Sequence, residues 1–213
     1  MRSICEITTP PFREQIVERM PFHAYLGTRG LSGSVIAKGC KSMLAAQHAY
    51  GDDDYQPTDA QTFGSVAHCL LFEPDTFNDS VAVWHGGRRY GKQWDEFNEE
   101  HEGKHIIPAE GKFGFKNVTG GIYAALSSSE VQRIVRSGVG EVSVFTQEAG
   151  MQCKGRIDWV SSTDHCIADP KFTTNAEARA FWSNSYNRFR YGLKMGLYRR
   201  WFQRVTGREI KYV

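Results

Sequence analysis

The stretch from Cys153 to Lys171 constrains this chain most, because two acidic residues interrupt strand-like apolar runs there. Asp158 stands between Arg156-Ile157 and Trp159-Val160, and Asp169 follows Cys166-Ile167-Ala168. An unpaired charge in such a run is costly, so both positions are candidates for a purpose. Ser161-Ser162-Thr163-Asp164 supplies a turn between strands over Met151 to Ser161 and His165 to Lys171. Two residues along a strand return to one face, so Asp169 and Lys171 are predicted to point together. Carboxylates are hard oxygen ligands for a divalent cation such as Mg²⁺, and an adjacent ammonium can orient a water or stabilise phosphorane charge. That is the layout of a metal-dependent phosphodiesterase. The competing reading is a hairpin flanked by surface carboxylates, with Lys171 as an ordinary ion-pair partner.

With 213 residues, 40% hydrophobic and 13% aromatic, the chain can bury one sizeable core. A single domain over 1–213 is expected, with an N-terminal helical part (1–57) and a core (58–213). No run of about 18 apolar residues occurs, and Met1-Arg2-Ser3-Ile4-Cys5-Glu6 lacks the apolar centre of a secretion signal, so a cytoplasmic location is expected. Cys5, Cys40, Cys69, Cys153 and Cys166 are odd in number and widely spaced, which argues for reduced thiols rather than a zinc site or redox pair. The net charge of +2 hides an asymmetry: residues 188–213 hold eight Lys/Arg against Glu209 alone, leaving 18 basic and 23 acidic residues upstream.

The period of the apolar residues gives an α/β chain, helical first and then rich in strands. Leu31-Ser32-Gly33-Ser34 offers an N-cap for a helix running to about Tyr50, and Gly51 to Pro57 reads as a solvated linker. Thr58 or Asp59 caps the next helix, which carries His68 and ends at Glu73-Pro74. A strand at Ser80 to Trp84 precedes a basic loop and a helix from about Gln93 to Glu100. Strands over Glu141 to Thr146, Met151 to Ser161 and His165 to Lys171 follow. Thr174-x-x-Glu177 is a capping box for a helix over Ala176 to Tyr186, and a second helix spans Phe189 to about Val205 before a short strand from Glu209 to Val213.

Two motifs mislead. His101-Glu102-Gly103-Lys104-His105 matches H-E-x-x-H, but Gly103 weakens a helix and Ile106-Ile107-Pro108 ends it. Gly86-Gly87-Arg88-Arg89-Tyr90-Gly91-Lys92 resembles a P-loop, yet Gln93 stands where Ser or Thr would ligate Mg²⁺. A basic loop touching a nucleic-acid backbone is the better reading of it. Arg190, Lys194, Arg200, Arg204 and Arg208 interleave with Phe189, Tyr191, Tyr198, Trp201 and Phe202, which predicts an amphipathic helix with a basic face and an aromatic underside.

Three blocks in this order resemble the exodeoxyribonuclease VIII family of phage and prophage PD-(D/E)xK nucleases. They are Gly64-Ser65-Val66-Ala67-His68-Cys69-Leu70-Leu71-Phe72-Glu73-Pro74, Cys153-Lys154-Gly155-Arg156-Ile157-Asp158-Trp159 and Asp169-Pro170-Lys171-Phe172-Thr173-Thr174-Asn175-Ala176. The resemblance implies a restriction-endonuclease-like core, a central mixed sheet flanked by helices. It implies a Mg²⁺-dependent exonuclease (Mn²⁺ substituting) that degrades one strand of linear duplex DNA from a 5′ end for phage-type recombination. Asp158 and Asp169 would ligate metal, Lys171 would be the catalytic lysine, His68 would join the site, and Glu141 would be an auxiliary ligand. Contacts to DNA fall to Arg88, Arg89, Lys92, Arg156, Arg190, Lys194 and Tyr198. Double-stranded DNA ends, a single-strand annealing protein and a homo-oligomeric ring are the partners the family implies. Lys194 stands where the family's Gln-x-x-x-Tyr element has glutamine, and a C-terminal element beyond Val213 is expected from the family pattern. An endonuclease, a nuclease of RNA or single strands, and a non-catalytic DNA-binding module are the alternatives.

Overall fold

Ala149 and Gly150 both take positive φ, 50° and 78°, which makes the two-residue turn whose twist suits paired antiparallel strands. It joins Gly138–Glu148 to Met151–Ser161 in a long hairpin, in register from Glu148↔Met151 to Gly138↔Ser161. This computed structural model describes residues 13–50, 57–173, 175 and 177–212. The start of the chain to residue 12, the linker over 51–56 and Thr174 of the expected capping box lie outside the described residues.

The chain divides into two compact units, one from Met1–Tyr55, Ser137–Asp169 and Thr173–Val213, the other from Gln56–Arg136 and Pro170–Phe172. In chain order the elements are β1 (Gln15–Glu18), α1 (Phe22–Gly27), β2 (Leu31–Ser32), α2 (Gly33–Gly39), α3 (Met43–Tyr50), α4 (Asp59–Phe72), α5 (Phe77–Ser80), β3 (Val81–Trp84), α6 (Lys92–Glu100), β4 (His105–Pro108), α7 (Phe115–Leu126), α8 (Ser129–Arg136), β5 (Gly138–Glu148), β6 (Met151–Ser161), β7 (Ile167–Ala168), α9 (Ala178–Phe181) and α10 (Tyr191–Thr206).

In the first unit the sheet order is β1-β5-β6-β2, with β7 also on β6. β2 runs parallel to β6 at Leu31↔Cys153, while β1, β5 and β7 make antiparallel pairs, so the sheet is mixed. α10 packs on β5 and β6 and against α2. Its Trp201 and Phe202 join Val142, Val144, Ile157, Ile167 and Ile210 in one buried cluster. The fit against β6 depends on Gly155: a Cβ there would meet Tyr198 Cδ1 at 2.9 Å and Trp201 Cε3 at 3.2 Å.

The neighbouring residue of β6 solves a different problem. Lys154 is buried, and its Nζ donates to the carbonyls of Tyr25 (2.9 Å), Leu26 (3.1 Å) and Thr28 (2.6 Å) at the C-terminal end of α1. These carbonyls lie at the last turn of the helix, where an ammonium suits the negative end of its dipole. Burial pushes the Lys154 pKa down to about 8, so it still carries its proton at neutral pH.

In the second unit Thr58 and Gln61 form the capping box of α4: the Thr58 side chain accepts from Gln61 N and Gln61 Oε1 from Thr58 N. Val66 and Ala67 of α4 are buried with Val118 of α7 and Ile107 of β4, and β3 pairs with β4 in parallel. Trp84 of β3 stands edge-on to Trp94 and packs on Phe97 of α6.

Four expectations from sequence change. The helix expected up to Tyr50 is two helices, because Gly39 propagates a helix poorly and Ser42 Oγ accepts from Ala45 N (3.3 Å), starting a new one. The third strand stops at Ala168, since Pro170 has no N–H to donate to a ladder; strand alternation therefore does not align Asp169 with Lys171. The helix expected over 176–186 is the short α9 continued by a π-helical turn at Trp182–Tyr186. Among the described residues the C-terminal strand reduces to one parallel bridge, Cys166↔Tyr212. Cys69, Cys153 and Cys166 are buried free thiols, Cys40 is an exposed one, and Cys5 lies outside the described residues. Among the described residues no helix is long and apolar enough to cross a membrane.

Gly155→Ala tests the packing on β6. It is expected to lower the unfolding free energy by about 1–3 kcal/mol in urea denaturation, since two rigid rings and a strand must move apart. An unchanged midpoint would show that Tyr198 and Trp201 do not press on this backbone.

Candidate metal centre

Strand register lines up three acidic residues in the first unit. The pairs Gly140↔Trp159 and Val142↔Ile157 flank Glu141 and Asp158, which therefore face each other across β5 and β6. The pair Trp159↔Ala168 comes immediately before Asp158 and Asp169 in the antiparallel sense, so Asp169 follows the same row just past the end of β7. Carboxylate oxygens of Glu141 and Asp158 lie within 4.8 Å of each other. Glu141 has φ of 56°, a left-handed conformation uncommon for a residue with a side chain, and it interrupts the ladder at this point.

Like charges set opposite each other in a sheet repel. Part of the repulsion is offset by Arg156, whose Nε donates to Glu141 Oε2 in a half-buried ion pair and whose Nη1 donates to the Met20 carbonyl. Its guanidinium also lies 5.6 Å from the Phe22 ring centre and 5.9 Å from that of Tyr25. Arg156, expected from sequence to touch DNA, directs its Nε and Nη1 inside the unit. Tyr198 reports the remaining field: burial raises its hydroxyl pKa well above the usual value, and Tyr25, Asp158 and Asp169 raise it further.

The donor set suits a hard divalent cation. Carboxylate oxygens held a few ångströms apart on neighbouring strands are the ligands that Mg²⁺ or Mn²⁺ takes, and a cation would relieve their repulsion.

The other expected site residues belong to the second unit. His68 sits on α4, half-buried, and its Nε2 donates to the Pro170 carbonyl oxygen at 3.2 Å. In that bond the ring nitrogen is the donor, because a carbonyl oxygen only accepts. Phe172 packs edge-on against Phe63 and 6.5 Å from the His68 ring, so α4 holds the short Pro170–Phe172 segment on which Lys171 is carried. The chain passes from one unit to the other between Asp169 and Pro170, inside the D-x-K motif itself.

The basic residues fall in two places. In the loop before α6, Arg88 Nη1 donates to the Tyr90 hydroxyl, Arg89 pairs with Asp59 at 2.6 Å, and Lys92 lies 3.7 Å from Glu96. At α10, Arg190 occupies the left-handed N-cap position and Lys194 Nζ lies 4.8 Å from the Tyr191 ring centre. The H-E-x-x-H match dissolves: His101 caps the end of α6 and stacks on Phe97, whereas His105 opens β4, so no helix face carries both.

Sequence reasoning from spacing singles out Asp158, Asp169 and Lys171, and reaches Glu141 and His68 only through family resemblance. It missed Arg156 as the partner of Glu141; the signal was present, since Arg156 shares the strand period of Asp158 and lies diagonally across the ladder from Glu141.

If the acidic row holds a cation, Mg²⁺ or Mn²⁺ at a hundred times its dissociation constant should raise the unfolding free energy by about 2.7 kcal/mol. Asp158→Asn should abolish that increment, as read by calorimetry of the thermal transition. An equal increment in both proteins would place the ion elsewhere.

Residues 32–213 match a family model described as a PDDEXK-like domain of unknown function (DUF3799), and no curated protein matches. A PDDEXK-like domain points to a nuclease, and the mixed sheet flanked by helices agrees with it. Its acidic row, ending in Asp169-Pro170-Lys171, thus lies within the matched region, and the chain belongs to the PDDEXK-like family DUF3799.

Proposed function

We propose that this protein is a Mg²⁺-dependent exodeoxyribonuclease, Mn²⁺ substituting, that degrades one strand of linear double-stranded DNA in the 5′ to 3′ direction. The observation that carries the reading is the row of Glu141, Asp158 and Asp169 leading directly into Lys171 within a PDDEXK-like domain. The direction and the recombination setting come from the resemblance of the His68, Asp158 and Asp169-Pro170-Lys171 blocks to the exodeoxyribonuclease VIII family. A single-strand annealing protein and a homo-oligomeric ring are the partners that reading implies.

On this reading Asp158 and Asp169 would hold the cation, and the family resemblance adds Glu141 and His68 as further ligands. The bound ion supplies Lewis acidity at the scissile phosphate and lowers the pKa of the attacking water. Lys171 orients that water and offsets charge that develops on the phosphorus-bound oxygens. His68, anchored by its Nε2 bond to the Pro170 carbonyl, would serve as a metal ligand, position a water or contact a phosphate. Arg156 holds the Glu141 carboxylate in direction through its ion pair. The basic residues of 88–92 and 188–211 hold the phosphate backbone, so binding weakens steeply as salt rises.

Linear duplex labelled at the 5′ or the 3′ end, compared with a closed circle, separates the readings. Nucleotides should be released from linear duplex only, from the 5′ end, and only with Mg²⁺ or Mn²⁺. Lys171→Ala should slow release by about 10²–10³-fold, and Asp169→Ala at least as much. Cutting of the circle would make the protein an endonuclease, and metal-independent binding with no cleavage would make it a DNA-binding module.

A further inference from the structure

The stretch from Ala178 to Lys194, in the first unit, is built unlike the rest of the surface. It carries Arg179, Arg188, Arg190 and Lys194 and not one carboxylate. Within it Trp182 is 56% exposed and Phe189 50%, an unusual outlay of aromatic surface to water. These rings are supported from below. Trp182 lies parallel on Tyr186, centroids 4.5 Å apart and planes 11° from coplanar. Phe189 stacks on Tyr191 at 5.7 Å, and Tyr191 on Phe181 at 6.3 Å.

The backbone keeps these rings in place. The π-helical turn at Trp182–Tyr186 widens the chain beneath Trp182, and Gly192 leaves space for the Tyr186 hydroxyl, which any Cβ there would strike. Arg190, with φ of 53°, turns the chain into α10, and Lys41 Nζ donates to the Arg188 carbonyl at 3.2 Å. The Arg188 guanidinium lies 5.5 Å from the Phe189 ring centre, so cation and ring are offered side by side.

We infer that this surface is a binding platform for single-stranded DNA, on which unpaired bases stack against Trp182 and Phe189 while Arg179, Arg188 and Lys194 meet the phosphates. Flat exposed rings beside cations match a polyanion whose every unit has a π-face. Duplex DNA can meet these cations through its phosphates but cannot stack on the rings, because its base faces are covered by their neighbours. A second copy of the chain fits poorly too, since a two-fold contact through this patch would set its cations against themselves. The inference rests on the nuclease reading only in taking DNA as the polynucleotide; a strand-degrading enzyme makes unpaired bases as it works.

The test is fluorescence anisotropy of a labelled oligothymidylate in EDTA, where binding is read without cleavage. Wild type should bind the oligothymidylate more tightly than a blunt duplex of equal length. Trp182→Ala should weaken binding by about tenfold, the scale of one lost base–aromatic stack, and Trp182→Phe should restore most of it. Phe189→Ala, at a second exposed ring, should weaken it similarly. An abasic strand of the same length, which keeps the phosphates and lacks the bases, should bind wild type as poorly as oligothymidylate binds Trp182→Ala. Equal binding of abasic and thymidine strands, or no loss in either alanine variant, would overturn the platform. So would a dimer in sedimentation that Trp182→Ala dissolves, which would make a second copy the occupant. Absence of metal-dependent cleavage would count against the nuclease reading alone and leave these binding arms interpretable.

Discussion

The β5–β6 ladder is the constraint on which the first unit depends. Its register is set at one end by the Ala149-Gly150 turn and runs unchanged to Gly138↔Ser161. A slip of one residue would exchange the faces of every side chain on the strand. Gly155 would leave the ring edges of Tyr198 and Trp201, Lys154 would leave the carbonyls of α1, and Asp158 would no longer face Glu141. Packing, helix capping and the acidic row are thus consequences of a single pairing.

The acidic row stores an electrostatic tension that packing alone would not choose. Glu141 breaks the ladder with a left-handed backbone, and Arg156 pairs with it directly. Burial first, and then the charges of Tyr25, Asp158 and Asp169, raise the hydroxyl pKa of Tyr198, whose ring is itself held by the space above Gly155. Such a concentration of carboxylates is costly without a cation and useful with one, which is the usual bargain at a metal-dependent site. Arg156 illustrates how local chemistry redirects a basic residue: a charge that reads as a contact for phosphate is used to hold Glu141 and the Met20 carbonyl.

Much of this was legible where the signal is local. Thr58 and Gln61 announce the start of α4, and Glu148-Ala149-Gly150 the hairpin, because capping and turn chemistry act over three or four residues. Asp158 and Asp169 stood out because charge interrupts apolar strands. Elsewhere the local signal misled or was silent. Cys40-Lys41-Ser42 splits a helix that periodicity runs together, and Pro170 ends a strand whose alternation seemed to continue to Lys171. The π-helical turn at Trp182–Tyr186 has no periodic signature, and the exposure of Trp182 could not be told from core burial, since an aromatic ring reads the same in both places.

By itself the sequence determined the α/β character, the D-x-K motif and the cationic end of the chain, because these follow from residue type and short-range period. It held the blocks that place the chain in the PDDEXK-like family. Only the tertiary structure decided that Glu141, Asp158 and Asp169 form one row, that Arg156 reaches inward to Glu141, and that Trp182 and Phe189 face out. The reason is physical: pairing register and burial are set by contacts between residues far apart in the chain, which no local pattern encodes.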